Sequence, residues 1–120
     1  MGDTRDRRRI LVVEDEMMVA MLVEDMLTDL GHEVIGPAMR LEQALPLARD
    51  ADIDFAVLDI NLGGEQSFPI ADILTERGIP FVFATGYGSK GLSVAYRGAV
   101  TLKKPFETRH LEQAVARAVG

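Results

Sequence analysis

Four short apolar runs in this chain each end in residues that can do chemistry. Ile10-Leu11-Val12-Val13 leads into the acidic pair Glu14-Asp15, and Phe55-Ala56-Val57-Leu58 leads into Asp59. The run from Ile79 to Ala84 leads into Thr85, and the run from Ala99 to Leu102 leads into Lys103-Lys104-Pro105. Stretches with helical patterning separate them. Strands alternating with helices at this spacing form a parallel sheet with right-handed crossovers. In such a sheet the carboxyl ends of the strands open onto one ligand crevice. A carboxylate pair, a lone carboxylate, a hydroxyl and a lysine would then converge. Crowded carboxylates repel one another unless a cation joins them. The pattern therefore points to a divalent metal and phosphoryl chemistry.

The first strand is expected over about Arg9 to Val13, and the first helix from about Glu16 to Leu30, ending at Gly31 as its left-handed cap. The second strand, His32 to Gly36, is expected to be cut off by Pro37. The second helix, about Arg40 to Arg49, contains Pro46 and is expected to be kinked or short. The third strand follows at Asp54 to Leu58. The third helix spans about Phe68 to Arg77, with Pro69 at a tolerated first-turn position. The fourth strand is Pro80 to Ala84, the fifth Val100 to Leu102, and the last helix Thr108 to Val119. Between the fourth and fifth strands lie Gly86, Gly88, Gly91 and Gly98. Each glycine costs a helix about 1 kcal/mol relative to alanine. Only Leu92 to Tyr96 has much apolar content there, so a short, frayed or mobile helix is expected.

At 120 residues the chain is long enough for one domain with one core. It reads as a disordered, solvated leader over residues 1–8 and a folded domain over 9–120. Asp3 and Asp6 interrupt the leader's arginines and weaken any anion-binding patch. The formal charge of −6 argues against nonspecific binding to nucleic acid or an anionic membrane. Without cysteine there is neither a disulfide framework nor thiol chemistry, which suits a reducing cytoplasm. The longest apolar stretch, Met17 to Val23, is too short to span a bilayer, and no signal peptide is visible. The expectation is a cytoplasmic protein.

The strings Val13-Glu14-Asp15-Glu16, Leu58-Asp59-Ile60-Asn61-Leu62, Ala84-Thr85-Gly86 and Lys104-Pro105-Phe106, in this order and spacing, resemble the receiver domains of two-component response regulators. Pro80-Phe81-Val82-Phe83-Ala84-Thr85-Gly86-Tyr87-Gly88 is similar to the signature of the single-domain FAT-GUY subgroup, which is paired with HWE-type and related histidine kinases. The resemblance implies a flavodoxin-like, doubly wound, five-stranded parallel sheet of strand order 2-1-3-4-5, with five helices. It implies that Asp59 accepts a phosphoryl group from a kinase phosphohistidine or a phosphotransfer protein. It implies Mg²⁺ held by Asp15, Asp59 and the Asn61 carbonyl, with Glu14 acting through a water. Thr85 and Lys104 would contact the phosphoryl oxygens, and the Lys104–Pro105 peptide would be cis. The implied role is a signalling switch rather than an enzyme, monomeric or weakly dimeric.

Two departures from the family pattern stand out. Glu14 replaces the usual aspartate, and Thr101 stands where the usual switch aromatic would be, three residues before the lysine. A change of order in the glycine-rich segment is the natural substitute for that aromatic.

Blander readings compete at each position. Glu14-Asp15 could simply lead a helix, where acids are favoured. Asp59 alone could precede a turn, and Thr85 alone could be a strand-end hydroxyl. Lys103 points away from the crevice by strand alternation. His32 and His110 read as surface residues, and Tyr87 either gates water at the site or packs over the loop. An aspartate-nucleophile phosphatase usually carries a second aspartate two residues on, where this chain has Asn61. A pseudo-receiver that never sees phosphate sits poorly with retention of Asp15, Asp59, Thr85 and Lys104. On the first helix, Val19, Leu22, Val23, Met26, Leu27 and Leu30 form the expected inward stripe. Met17, Met18, Ala20 and Met21 fall outside it. With Pro105-Phe106 they suggest a face for the kinase.

Overall fold

The computed structural model describes residues 7–86, 96 and 99–119. In chain order the elements are β1 (Arg9–Val13), α1 (Met17–Asp29), β2 (Glu33–Ala38), α2 (Leu41–Asp50), β3 (Phe55–Asp59), β4 (Asn61–Leu62), β5 (Glu65–Gln66), α3 (Phe68–Arg77), β6 (Phe81–Thr85), β7 (Thr101–Lys103) and α4 (Thr108–Val119). Five strands form a parallel sheet of order β2-β1-β3-β6-β7, which is the expected order 2-1-3-4-5 of the sheet strands.

Side-chain alternation along the strands divides the core between the two faces of this sheet. Leu11, Val13, Ala56, Leu58 and Phe83 pack with Ala44 and Ala48 of α2 and Ile70, Ala71 and Leu74 of α3. Ile10, Val12, Phe55, Val57, Val82 and Ala84 pack with Val23 and Leu27 of α1 and Leu111, Ala114 and Val115 of α4. Central strand β3 is buried along its whole length, so it reads as an unbroken apolar run.

Register then fixes the crevice. Val13 pairs with Leu58, so Glu14 is level with Asp59. Asp59 pairs with Ala84, and Thr85 pairs with Lys103. All the predicted site residues leave the same edge of the sheet.

Several expectations need correction. Strand β2 does not stop at Gly36 but runs on through Pro37 to Ala38. Leu11 pairs with Ile35 and Val13 with Ala38, so β2 carries one extra residue there, a bulge. A bulge on an edge strand is where a proline without an N–H is tolerated. The Gly36–Pro37 peptide is cis. Gly36 has φ +99°, and a Cβ there would lie 2.7 Å from the Ala38 nitrogen and 3.1 Å from the Val12 carbonyl oxygen.

Helix α2 has ten residues, Leu41–Asp50, with Pro46 inside it as expected. Pro46 faces solvent, where water can satisfy the carbonyl that loses its partner. Ala20 of α1 is buried and Leu22 is 53% exposed, the reverse of the expected stripe. The buried line is Ala20, Val23 and Leu27.

The β4–β5 hairpin was not foreseen. Leu62 pairs with Glu65 across Gly63 (φ +60°) and Gly64 (φ +94°), both in the left-handed region that a tight two-residue hairpin turn demands. The expected fourth helix, apart from Tyr96, and Tyr87 lie outside the described residues, as does most of the glycine-rich segment. Tyr96 itself stacks on Phe68 at 5.7 Å between ring centroids and meets Phe81 and Phe83 edge-on. Its hydroxyl donates to Asp72.

The crowding at Gly36 generates a test. Gly36→Ala should cost about 1–3 kcal/mol, the scale for a non-glycine residue forced into the left-handed region. Urea unfolding measures this, and an unchanged midpoint would remove the bulge as a constraint.

Candidate functional site

Beyond β1 the chain turns into α1 and leaves Glu14 almost fully buried, 3% exposed. A buried carboxylate needs partners, and Glu14 finds them in a lysine and a backbone N–H. Its Oε1 lies 2.6 Å from Lys104 Nζ, and its Oε2 accepts the Glu16 N–H at 3.2 Å. Lys104 arrives one residue after β7. Its backbone N–H donates to the Thr85 carbonyl at 2.8 Å, which prolongs the β6–β7 pairing and fixes where the side chain starts. The same amine lies 3.4 Å from Asp59 Oδ2. Asp15, on the other side, accepts the Gly63 N–H at 3.1 Å, so the hairpin turn holds it in place.

The cleft over these residues has a volume of about 490 Å³ and is lined by Asp15, Glu16, Asp59, Ile60, Asn61, Gln66, Thr85, Gly86 and Lys104. Of the residues the sequence singled out, Asp15, Asp59, Asn61, Thr85 and Lys104 line this cleft, and Glu14 sits beneath it against the lysine. The Lys104–Pro105 peptide is cis, as the resemblance implied. Lys103 is exposed and Thr101 is half-buried on β7 opposite Phe83. Neither histidine is near the cleft chemistry. His32 Nδ1 accepts the Arg8 N–H at 3.0 Å, and His110 Nδ1 accepts the Glu107 N–H at 2.9 Å, capping α4. Gln66, Glu16 and Gly63 were not singled out as site residues. The Gly63-Gly64 dipeptide was the available signal, since a hairpin there folds Gln66 back beside Asn61.

Charge is unbalanced in this cluster. Burial first, and then the neighbouring Glu14 carboxylate, push Asp59 from 3.8 up to about 8, with Lys104 pulling the other way. Burial works to raise Asp15 too, but hydrogen bonds with Asp59 and the Gly63 N–H outweigh it and hold Asp15 below the usual carboxylate range. Burial pulls the Lys104 amine down, but Glu14 and Asp59 outweigh it and raise it. The metal-free cluster thus holds a proton on Asp59 far more tightly than an ordinary carboxylate does.

A cation fits in place of that proton. Glu14, Asp15 and Asp59 each offer an oxygen within 4.8 Å of the others. Three oxygens this close can share one octahedral Mg²⁺, whose bonds of about 2.1 Å hold its ligands at most roughly 4 Å apart, after small side-chain shifts.

Stability should therefore fall as pH rises. The folded pKa of Asp59 is raised, so folding retains a proton that the unfolded chain releases from pH about 4 upward. Its contribution is fully present below that pH and is lost as pH rises to about 8. Asp15, lowered, and Lys104, raised above 10.5, titrate outside this window. In the absence of metal, Asp59→Asn should be more stable than the parent at pH 8 by at least about 1.4 kcal/mol, the worth of one pKa unit. The difference should vanish near pH 4. Denaturation at the two pH values reads it, and a pH-independent difference would contradict the assigned cause.

On the other side of Glu16 the cleft meets an apolar groove of about 290 Å³ between α1 and the Lys104–Phe106 turn, lined also by Val19, Leu22, Val23 and Met26. Beside it Met17, Met18 and Met21 are 62%, 84% and 56% exposed.

The chain is similar to several known proteins. Among curated sequences, the transcriptional regulatory protein PdtaR of Mycobacterium tuberculosis is 30% identical over 99% of this chain and 60% of its own length. The phyllosphere-induced regulator PhyR of Methylorubrum extorquens is 30% identical over 92% of the chain and 43% of its own. The chain thus spans only about half the length of these relatives. The solution structure of SdrG from Sphingomonas melonis Fr1 superposes with a TM-score of 0.84 at 39% identity and covers 100% of both chains. PhyR from Brucella abortus gives 0.80 at 28% identity, over 95% of this chain and 49% of that one. The sequence model of one family matches residues 10–116, from the first strand into the last helix. By that match the chain belongs to the response regulator receiver domain family.

Proposed function

We propose that this chain is a stand-alone phosphoacceptor of the FAT-GUY type: Asp59 takes a phosphoryl group from a histidine kinase, in a Mg²⁺-dependent step, and thereby changes which protein the domain binds. The observation that carries this reading is the position of Asp59, buried at the carboxyl edge of the sheet, 3.4 Å from the Lys104 amine and beside two further acids. SdrG, which is similar to this chain over its whole length, has also been solved in a BeF₃-activated conformation. No helix among the described residues is long and apolar enough to cross a membrane. We place the protein in the cytoplasm, where histidine kinases present their phosphohistidine.

In the transfer, an Asp59 carboxylate oxygen attacks phosphorus. The O–P bond forms as the P–N bond to the kinase imidazole breaks, and the imidazole leaves with a proton. Lys104 must exchange part of its contact with Glu14 for a phosphoryl oxygen, and it supplies a mobile point charge there. The Thr85 hydroxyl donates to a second oxygen. Asp15, Asp59 and the Asn61 carbonyl would hold the cation, and Glu14 would act through water. Bound there, Mg²⁺ supplies the charge that keeps Asp59 ionised and neutralises the transferring oxygens. Kinase helices would dock over α1 and the groove beside Pro105 and Phe106, which leads directly into the cleft.

A phosphotransfer screen against histidine kinase cores, followed by variants, tests this function. Asp59→Asn should abolish labelling by acetyl phosphate. Lys104→Ala should keep Mg²⁺ binding but slow transfer about 10²–10³-fold, the range for losing one preorganised charge-stabilising donor. Asp15→Asn should weaken Mg²⁺ binding markedly in a fluorescence or calorimetric titration. Labelling that persists in Asp59→Asn and maps to another residue would refute the assignment.

Docking makes a separable prediction. Met17→Glu or Met21→Glu should slow transfer from the kinase about tenfold, as loss of an apolar interface anchor does, while labelling by acetyl phosphate stays within twofold, roughly the scatter expected for surface changes. Equal loss with both donors would mean that the substitutions disturb the Asp59 cleft or the fold, and would remove α1 as the docking face.

A further inference from the structure

Among the described residues the large exposed apolar side chains are Met17, Met18, Met21, Leu22 and Val100, and four of these five sit within six positions of α1. Three of the four carry a thioether. The other described methionines, Met26 and Met39, are half-buried. The chain has no cysteine, so thioethers are its only oxidisable sulfur. The residues lining the phosphoacceptor cleft contain none.

We propose that Met17, Met18 and Met21 form a reversible oxidation site, at which conversion of thioether to sulfoxide closes the apolar face of α1 while the Asp59 cleft stays competent. The inference rests on the docking reading of α1 given above. The reactant is a two-electron oxidant such as hypochlorous acid. A sulfur lone pair attacks its oxygen, the S–O bond forms, the O–Cl bond breaks, and chloride and a proton leave. Sulfur gives up two electrons and chlorine takes them. A dithiol reductase reverses the step: it forms a disulfide and releases the oxygen as water. Exposure selects these three sulfurs over Met26 and Met39. A sulfoxide is a strong dipole on a flexible chain, and it replaces the adaptable apolar contact that suits methionine to docking surfaces. Acidic Glu14, Asp15 and Asp59 beside the face have no comparable chemistry with the oxidant, so one modification separates kinase-driven from small-donor phosphorylation.

The full chain is titrated with hypochlorous acid up to about one equivalent for each of the three thioethers and mapped by peptide mass spectrometry. It is then phosphorylated by acetyl phosphate and by the kinase core that transfers fastest in the screen. Met17, Met18 and Met21 should convert before Met26 and Met39. Transfer from the kinase should then fall about tenfold, the effect of losing apolar interface anchors, while acetyl phosphate labelling holds. Treatment with the two epimer-specific sulfoxide reductases and dithiothreitol should restore transfer. A triple variant, Met17→Leu, Met18→Leu and Met21→Leu, should keep its own untreated kinase rate through the same oxidation. Oxidation without preference for the three, equal loss with both donors, or loss that reductase does not reverse overturns the proposal. If Met21→Glu slows the kinase and sulfoxides do not, the oxidation site alone fails. If neither changes the rate, the docking reading fails and takes this site with it.

Discussion

The contact on which the site depends is the Lys104 amine lodged between Glu14 and Asp59, at 2.6 and 3.4 Å. Taking one carboxylate out of water costs several kcal/mol, and a second one beside it adds repulsion. One lysine cannot balance three carboxylates, and the shortfall falls unevenly on them. Glu14 takes most of the amine, Asp15 takes a backbone N–H, and Asp59 holds its proton more tightly. The residue proposed to act as nucleophile is therefore the one left most in need of another positive charge. Glutamate at position 14, longer than the aspartate usual in the family, reaches the lysine and is spent on it. This explains why Glu14 lies beneath the cleft rather than along its wall.

Much of this was legible in the sequence because the strands are buried and short. Burial makes a strand apolar, and the first polar residue after it marks the edge of the sheet, so Asp59, Thr85 and Glu14-Asp15 could be placed from pattern alone. Gly31 closes the first helix with positive φ, as its position after the last helical residue implied. What escaped was set by tertiary context. The strands β4 and β5 have two residues each, too few for alternation to register. Pro37 signals a strand end, yet on an edge strand at a bulge it signals nothing of the kind. Ala20 and Leu22 traded places because the helical period does not say which neighbour the helix leans on. The small Ala20 faces inward and the larger Leu22 lies at the groove.

The aromatic question raised by Thr101 has a structural counterpart. Position 101 carries no ring, but Tyr96 brings one from the far side of the same segment. It packs against Phe68 of α3 and against Phe81 and Phe83 of β6. Sequence spacing could not reveal this, because the four rings come from three separated stretches of chain. Strand β6 therefore carries two kinds of information along its length, aromatic packing on one face and the Thr85 hydroxyl at its end.

The bulge at Gly36 and Pro37 also bears on the protein's life in a crowded solution. Strand β2 forms one outer margin of the sheet, and an outer margin offers unpaired backbone groups to any extended chain that drifts past. A residue without an N–H, set in a bulged stretch, spoils that template near the end of its six-residue length. The same irregularity that defeated a simple reading of the second strand thus guards the sheet against growing sideways into aggregates.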